Sequence, residues 1–489
     1  MMSVSPPRTA AGAVSYYLHL KEHGRNLAED YYAKEGVGRW LGEGAEALGL
    51  SGNVSGADFA KLANGFAPDE TALVQNAGDP DRRAGWDVTF SAPKSVSVVW
   101  GLAGDGLAAR IEAAQAKAVE KAMLFLQDKA GFVRVGKGGE TVEAARLIAS
   151  AFQHGTSREG DMQLHTHAFV FNQGLRENGQ WAALDPRGFY AWQKAAGAAY
   201  RAELAHELRQ SGFAIERDGE SFRIVGVSKD IEAHFSQRRE QILEALRAEG
   251  HYSAKAAEIA ALDTREAKKD LTAEDLRPEW QERAAAFGLM PQHVEALATG
   301  SPAVALEAPS ADEILRLATE HEALLREQDL ATAAFQAAQG VTGFEGAKEI
   351  LADVVVRAVV LADDRGRLHF STQELVEKER QTFDDSVARR DERNHQLSPE
   401  QIAKAIADFE ARKTDELRAA GALGEEEVYR LKPEQADAVR HLCGESGGVA
   451  FLIGDAGTGK TTALEAVKEA YEAAGFRVVG AALGGKAAA

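Results

Sequence analysis

The 489-residue sequence is poor in several features, and each scarcity excludes a class of protein. Its single cysteine, Cys443, cannot form an intrachain disulfide, which predicts a reducing compartment and a buried thiol. No apolar run approaches the roughly 20 residues that a membrane-spanning helix needs, and residues 1–9 lack the charged and apolar segments of a signal peptide. These absences predict a soluble, cytoplasmic protein without membrane insertion.

An excess of positive charge is also missing. The chain has 56 Lys and Arg residues against 75 Asp and Glu residues, a net charge of -19, which argues against indiscriminate binding to polyanions. Residues 1–200 hold 20 basic and 22 acidic residues, a net of −2, so the acidic excess lies downstream. The near-neutral first segment leaves room for a local basic groove, for which the candidates are Arg82, Arg83, Lys94, Arg134, Lys137, Arg146 and Arg158.

The pattern of apolar residues divides the chain into four regions. Residues 1–230 mix short alternating strands with helices, which predicts an α+β fold with helices packed on an antiparallel sheet. Residues 231–300 predict a helical extension, and residues 301–425 predict a second, mostly helical region. Residues 426–489 predict the incomplete start of a RecA-like α/β domain. Expected strands are 132–135, 163–172, 181–184, 221–225 and 367–370, and expected helices are 108–130, 229–248 and 311–326.

The clearest chemical signal is a pair of histidines one residue apart, His165 and His167, with His154 eleven positions upstream. In a strand, alternate side chains share a face, so His165 and His167 are expected to project side by side. Neutral imidazole is a common ligand of divalent metals, and three of them leave open coordination positions for a substrate. A chance meeting of three of the 13 histidines is the weaker alternative. The sequence predicts a metal site.

A metal alone leaves hydrolysis, redox chemistry and a structural role open, so the nucleophile matters. The phenols of two tyrosine pairs near the N-terminus are candidates: Tyr16 with Tyr17, and Tyr31 with Tyr32. A phenolate attacks phosphorus and can leave again, but its ordinary pKa of about 10 requires a polarised phosphate or a nearby base. Asp87 is the carboxylate expected either to fix a histidine tautomer or to accept the phenolic proton.

Residues 454–461 match the loop that cradles phosphates, between a strand expected at 448–453 and a helix expected to end near residue 474. Lys460 is expected to neutralise the terminal phosphates of ATP, and Thr461 to ligate magnesium. A further strand is expected at 476–480. The predicted nucleotide-binding residues are Gly454, Gly457, Gly459, Lys460, Thr461, Thr462 and Gln435.

Three stretches of the sequence resemble the conjugative relaxases of the MobF type, the TrwC/TraI group. They are HGTSR at 154–158 with QLHTH at 163–167, DVTFSAPKS at 87–95, and YYAK through LGLSG at 31–52. The resemblance implies an HUH endonuclease, in which a palm-like, five-stranded antiparallel sheet supports the nicking of one DNA strand at a plasmid transfer origin. It also implies a 5′-phosphotyrosine link to the DNA.

The resemblance further implies roles for single residues. Tyr16 makes the first cut, and Tyr31 acts when transfer terminates. Because fifteen positions separate these two residues, Tyr17 and Tyr32 stay open as alternatives. The implied metal ligands are His154, His165 and His167, with Asp87 as the supporting acid. Mg²⁺ or Mn²⁺ is the expected ion, and Zn²⁺, Ni²⁺ and Co²⁺ also suit imidazole ligands.

Single-stranded DNA from the origin is the expected partner. Its bases are expected to stack on Trp40, Trp86, Phe90 or Trp181, and its phosphates to meet Lys94, Arg134 and Arg158. The resemblance also implies accessory DNA-bending proteins, a type IV secretion coupling protein, and transport into a recipient cell together with the DNA.

The C-terminal segment resembles the start of a superfamily 1 helicase. Residues 480–488 resemble its strand-contacting motif but lack the usual proline-threonine pair, and an acidic magnesium site and a transition-state arginine are not found. The chain is therefore expected to be the front piece of a longer relaxase-helicase, without helicase activity of its own. Two other functions stay open: a metal hydrolase that uses activated water, and a non-catalytic nucleic-acid or ATP-binding module with a structural metal.

Overall fold

The computed structural model describes residues 2–18, 38–136, 141–157, 159–237, 239–241, 272–298, 306–455 and 457–481. Tyr31, Tyr32, Lys137 and Arg158 lie outside these ranges, as does the second part of the helix expected at 229–248. The chain forms two compact units, Met1–Thr372 and Gln373–Ala489. No helix within the described ranges combines the length and the apolar character that a membrane span requires.

An antiparallel sheet lies at the centre of the first unit. Its main path follows the order β1-β4-β7-β6-β3, with β2 paired to β4, β5 to β6 and β8 to β7. This path of five strands confirms the palm-like sheet that the family resemblance implies. The eight strands are β1 (Met2–Val4), β2 (Arg8–Thr9), β3 (Arg39–Leu41), β4 (Arg83–Ser91), β5 (Phe132–Val135), β6 (Thr141–Thr156), β7 (Met162–Arg176) and β8 (Trp181–Ala182).

Alternation along the strands gives the sheet two different faces. In β7, Leu164 and Val170 belong to the large hydrophobic core on one face. Phe169 and Phe171 belong to a smaller aromatic core on the opposite face. Because His165 and His167 share the parity of Phe169, they lie on the face with the smaller core.

Helices cover both faces of this sheet. The longest is α5, whose buried residues recur three or four positions apart, as expected for a helix with one apolar stripe. The helices of the first unit are α1 (Ala10–Leu18), α2 (Glu43–Ala47), α3 (Gly56–Ala63), α4 (Lys94–Leu102), α5 (Asp105–Ala130), α6 (Arg187–Gln210), α7 (Lys229–His234), α8 (Ala273–Ala285), α9 (Pro291–Leu297), α10 (Ala311–Ala318), α11 (Glu327–Ala338) and α12 (Phe344–Arg357). Two hairpins complete it, β9 (Ile215–Asp218) with β10 (Ser221–Ile224) and β11 (Val359–Ala362) with β12 (Leu368–Ser371).

Residues 306–372 pack against helix α5, which covers one face of the sheet, through aromatic contacts. The Phe335 ring of α11 lies 5.1 Å from the Phe125 ring of α5 and 5.7 Å from the Phe344 ring of α12. The Lys121 ammonium forms an ion pair with Glu345 at 3.0 Å. This segment is therefore part of the first unit's hydrophobic core.

Replacing Phe335 with alanine should destabilise the first unit by about 3–5 kcal/mol, because it leaves a cavity among fully buried aromatic rings. Urea denaturation followed by circular dichroism measures the change. Val356→Ala is the matched control in the same segment: this side chain is 81% exposed, so its loss should cost less than about 0.5 kcal/mol. Equal costs for both variants would mean that residues 306–372 do not share the core.

One expected helix is shorter than predicted. The helix expected across residues 311–326 ends at Ala318, and α11 begins only at Glu327. The Thr319 hydroxyl donates a hydrogen bond to the Leu315 carbonyl oxygen at the end of α10. Beyond it the chain turns, because Leu325 forms a β-bridge with Phe370 of β12. A tertiary pairing thus ends a pattern that locally favours a helix.

The second unit is helical in its described part. Its helices are α13 (Gln373–Ala388), α14 (Pro399–Ala419), α15 (Pro433–Arg440), a π-helical turn (His441–Glu445) and α16 (Lys460–Ala473). Phe409, Val439 and Cys443 form its core with Ala466. The thiol of Cys443 is buried as predicted, and burial raises its pKa to about 11.

The strands expected at 448–453 and 476–480 are wrong for this structure. Neither segment pairs in a ladder with any described residue, and the Phe451 and Ile453 side chains are 79% and 91% exposed. A buried strand needs neighbouring strands that satisfy its backbone N–H and C=O groups on both sides. Apolar composition marks such a segment but cannot supply those neighbours.

Candidate metal centre and phosphate-binding loop

The pairing of β6 with β7 brings three imidazole rings together. His154 lies directly opposite His165 in the register, and His167 follows two positions along β7 on the same face. The ring centroids are 5.0 to 5.2 Å apart, and one ligand nitrogen of each ring lies within 4.8 Å of the other two. This spacing suits three nitrogens that share one cation.

Hydrogen bonds orient two of these rings. The Nδ1 atom of His165 lies 2.7 Å from the carbonyl oxygen of Gln163, and because that oxygen can only accept, Nδ1 carries the proton. The Nδ1 atom of His167 lies 2.8 Å from a carboxylate oxygen of Asp87. Both contacts leave Nε2 as the metal-binding nitrogen, which is the arrangement common at imidazole metal sites. His154 is buried, whereas the other two rings are partly exposed.

Asp87 is buried on β4, beside the metal-facing histidines. Burial opposes its ionisation, but the neighbouring His167, the charge of Arg8 and a hydrogen bond from the Tyr17 hydroxyl outweigh it, and together they hold the pKa of Asp87 below its usual range. The Thr89 hydroxyl lies 3.2 Å from the Asp87 carboxylate and 3.1 Å from Nδ1 of His167. Asp87 is therefore a carboxylate at neutral pH and fixes the orientation of His167.

Tyr16 and Tyr17 both lie in α1, and this helix packs over the face of the sheet that holds the histidines. The ring of Tyr17 is 1% exposed, with ring centroids 5.1 Å from those of Phe152 and Phe169. Phe152 lies two strand positions before His154, and Phe169 lies two positions after His167. The Tyr17 ring therefore packs in the hydrophobic cluster next to the three histidines. Tyr16 occupies the preceding position of the helix.

The donor set fits a divalent cation. Three imidazoles on a rigid antiparallel hairpin form one face of a coordination sphere, and a carboxylate supports one of them from behind. Among the described residues, no other group of three His, Cys, Asp or Glu side chains has the spacing for a metal ion.

Asp87→Asn should weaken metal binding by about 10- to 100-fold, because it removes the charge that orients His167 and makes it more basic. Titration with Co²⁺ measures the affinity. Asp185→Asn is the control, since Asp185 is also buried and its pKa is lowered to about 2, but by Arg187 and Arg134 outside the metal site. An unchanged Co²⁺ affinity in Asp87→Asn would show that Asp87 does not support metal binding.

Several predicted DNA contacts occupy other environments. The Lys94 ammonium donates to the carbonyl oxygen of Met162 and to Oε1 of Gln163, and Arg82 is buried, with its guanidinium against the Ala63 carbonyl oxygen. The predicted basic groove is wrong for these two residues, because their charged groups point into the protein. Ion pairs neutralise two exposed candidates, Arg134 with Asp185 and Arg146 with Glu43, whereas Arg83 is exposed at the start of β4.

Most of the aromatic residues expected to stack on DNA bases are in the core. Trp86 and Phe90 are 2% and 0% exposed, within the hydrophobic core behind the sheet, and Trp40 packs against Phe171. The stacking prediction is wrong for these three residues, because a buried ring has no free face. Only Trp181 of the four is partly exposed.

The phosphate-loop residues of the second unit lie close together. Gly457 and Gly459 adopt positive φ angles of 81° and 83°, which favour glycine. The Lys460 ammonium donates to the carbonyl oxygens of Gly454 and Asp455, and Gln435 Nε2 donates to the Gly459 carbonyl oxygen at 3.1 Å. Thr461 and Thr462 follow in the first turn of α16. Both Lys460 and Gln435 thus bond to backbone carbonyl oxygens of this loop.

Sequence reasoning did not identify two members of the metal site. Thr89 contacts both Asp87 and His167, and the positive charge of Arg8 lowers the pKa of Asp87. The position of Thr89, two residues after Asp87 in a strand, was a usable signal because such residues share a face. Arg8 gave none, since its proximity depends on how β2 pairs with β4.

Comparison with known proteins gives two family matches. Residues 10–287 match the model of the TrwC relaxase family, and residues 430–489 match a model described as an AAA domain. The multifunctional conjugation protein TraI of Escherichia coli strain K12 is 37% identical over 297 residues. That alignment covers 58% of this chain, which spans only 16% of the length of TraI. The probable conjugal transfer protein TraA of Sinorhizobium fredii is 56% identical over 59 residues, which are 12% of this chain and 5% of TraA.

Solved structures of a conjugative relaxase also resemble this chain. The copper-bound complex of TrwC with oriT DNA has 36% sequence identity and a TM-score of 0.51 and covers 59% of this chain and 99% of its own. A metal-bound complex of TrwC with oriT DNA has 35% identity, the same TM-score and the same coverage.

Proposed function

This chain belongs to the TrwC relaxase family, and on that basis we propose that its N-terminal unit nicks and rejoins one DNA strand at a plasmid transfer origin during conjugation. The observation that carries the proposal is the histidine triad with Asp87 behind it, on the same face of the sheet as the helix that holds Tyr16 and Tyr17. The TrwC relative supports a DNA substrate, since its structures have been solved in complex with oriT DNA.

In the proposed reaction, Tyr16 is the nucleophile. Its phenolic oxygen forms a bond to the scissile phosphorus as the bond to the 3′ oxygen breaks, which gives a 5′-phosphotyrosine and a free 3′-hydroxyl. The phenolic proton passes to solvent, and the leaving 3′ oxygen takes up a proton. Tyr17 is the less suitable nucleophile of the pair, because its ring is enclosed by Phe59, Phe152 and Phe169. Tyr31, or Tyr32, is proposed for the second transfer.

His154, His165 and His167 are proposed to hold a divalent cation, with Mn²⁺ or Mg²⁺ as the working ion. Such a cation, when bound, withdraws charge from the scissile phosphate. The role of Asp87 follows from its contacts: its lowered pKa makes it a poor proton acceptor, and its carboxylate fixes the tautomer of His167. Asp87 is therefore proposed as a positioning residue for the metal site.

The second unit is proposed to bind ATP with Mg²⁺ at the loop of residues 454–461, on the strength of its match to an AAA domain. The remaining predictions keep that status: single-stranded origin DNA as substrate, accessory DNA-bending proteins and a secretion coupling protein as partners, a cytoplasmic location, and the division of the chain at residues 230, 300 and 425.

A labelled oligonucleotide tests the proposal. A single strand that carries the cognate origin is labelled at its 3′ end and incubated with the protein and Mn²⁺, and the mixture is denatured before electrophoresis. We expect the label to migrate with the protein, because the tyrosine becomes attached to the 5′ end of the downstream fragment. A shortened free oligonucleotide would instead indicate a hydrolase that uses water. An intact oligonucleotide would indicate a non-catalytic binding module.

A further inference from the structure

Two charged side chains, the buried Asp161 and the partly buried Lys94, lie beside the turn between β6 and β7, and the proposed reaction uses neither of them. Asp161 is 1% exposed, at the end of the turn. Lys94 is the first residue of α4, a position where the helix dipole disfavours a cation. Burial lowers the pKa of Lys94 to about 8, although the neighbouring Asp161 and Glu232 oppose that change. Buried charges are costly unless they are well bonded, which makes their contacts informative.

Lys94 is linked to a metal ligand through Gln163. The Lys94 ammonium donates to the carbonyl oxygen of Met162 at 2.9 Å and to Oε1 of Gln163 at 3.0 Å. The carbonyl oxygen of the same Gln163 accepts the Nδ1 proton of His165 at 2.7 Å. Lys94 therefore holds the backbone of Met162 and the side chain of Gln163, the residue whose carbonyl oxygen orients the His165 ring.

Asp161 anchors the same turn from the other side. Its carboxylate accepts hydrogen bonds from the backbone N–H and the side chain of Gln237, both at 2.9 Å, and forms an ion pair with Arg283 of α8 at 3.0 Å. The Arg283 guanidinium also lies over the Phe235 ring. These bonds hold the turn against α8. The start of β7, to which Lys94 donates its hydrogen bonds, is therefore fixed in place.

A third contact secures the turn between the two charges. The indole N–H of Trp280, a fully buried residue of α8, donates to the carbonyl oxygen of Gly160 at 2.7 Å. Gly160 has a positive φ of 80°. The turn therefore has little freedom to move away from the metal site, and residues 162–163 that follow it accept two hydrogen bonds from Lys94.

From these contacts we propose that Lys94 is a positioning residue for His165. Its ammonium, with the turn anchored by Asp161 and Arg283, holds residues 162–163 where the His165 ring can share a cation with His154 and His167. The inference rests on the proposed metal site and adds to it a residue outside the three ligands and their carboxylate. It also replaces the expectation that Lys94 contacts DNA phosphates.

Lys94→Met tests this inference, because methionine keeps the apolar stem and removes the ammonium. In a titration of the metal-free protein of residues 1–489 with Co²⁺, we expect binding to weaken by about 10- to 100-fold, the range seen when a partner of a metal ligand is lost. The visible absorption of bound Co²⁺ should also change, since it reports the ligand geometry. Far-UV circular dichroism of the metal-free variant should match that of the parent.

Lys121→Met is the matched control, because the Lys121 ammonium pairs with Glu345 away from the metal site. It should leave both the affinity and the absorption of Co²⁺ unchanged, and an equal loss in Lys94→Met and Lys121→Met would overturn the inference. If Lys94→Met does not fold, Gln163→Leu decides instead: it removes one acceptor of Lys94, keeps the carbonyl that His165 uses, and should weaken Co²⁺ binding in the same direction.

His165→Ala separates this inference from the function on which it rests. If His165→Ala loses Co²⁺ affinity while Lys94→Met and Gln163→Leu bind as the parent does, the positioning role is overturned and the metal site stands. If His165→Ala itself binds Co²⁺ like the parent, the proposed metal centre fails, and the inference fails with it.

Discussion

Tyr16→Phe should abolish the covalent adduct between the protein and origin DNA and slow nicking by about 10⁴-fold or more, in line with the loss of a nucleophile in other enzymes. The change removes a single oxygen atom and keeps the ring, and phenylalanine is as compatible with α1 as tyrosine. Loss of activity then reports chemistry rather than folding. Electrophoresis with the 3′-labelled oligonucleotide detects the adduct. Retention of the labelled DNA with denatured protein on a filter measures how much adduct has formed.

Tyr17→Phe is the matched control for this experiment. Its ring is buried among phenylalanines, and its hydroxyl acts on Asp87 by lowering the pKa of that carboxyl, so the variant should keep the adduct with a rate lowered by about 10-fold or less. The opposite pattern, in which Tyr17→Phe loses the adduct and Tyr16→Phe keeps it, would assign the nucleophile to Tyr17. If the variant with both Tyr16→Phe and Tyr17→Phe still forms the adduct, Tyr31 or Tyr32 would be the nucleophile.

His154→Ala should have the second-largest effect, because it removes one of three ligands from a rigid hairpin. We expect Co²⁺ affinity to fall by more than the roughly 10- to 100-fold expected of Asp87→Asn, which affects only a supporting residue. Nicking in the presence of Mn²⁺ should fall with it. Isothermal titration with Co²⁺ and the adduct assay give the two readouts on the same preparation.

His321→Ala controls for the loss of an imidazole in general, since His321 is exposed outside the metal site. It should bind Co²⁺ and form the adduct as the parent does. Full Co²⁺ affinity in His154→Ala would contradict the proposed centre. If His154→Ala loses Co²⁺ affinity but nicks DNA at the parent rate, the metal site is supported and its role in catalysis is contradicted.

The histidine site was predictable from the sequence because its signal is local. His165 and His167 lie two positions apart in a segment with strand composition, and the pleat of any strand puts such residues on one face. His154 belongs to the adjacent strand of the same hairpin, and a turn of few residues forces the two strands to pair. The family resemblance agreed with this geometry and added the roles of the tyrosines.

The predictions that were wrong depended on partners distant in the sequence. Phe90 and Trp86 have the composition of base-stacking residues, but whether an aromatic ring is exposed depends on which helices cover its face of the sheet. The apolar segment at 448–453 has the composition of a buried strand, yet a strand exists only where other strands bond to it. Local sequence carries neither kind of information.

The sequence by itself determined the α+β class, the hairpin with its three histidines and the glycine-rich loop before α16, because periodicity, turn residues and short spacings act over a few residues. Only the tertiary structure decided that Asp87 orients His167, that Tyr17 is enclosed, and that the Lys94 ammonium faces the start of β7 rather than solvent. Each of these joins residues 68 to 80 positions apart or stacks a helix on a sheet, and such contacts are fixed by how the whole core packs.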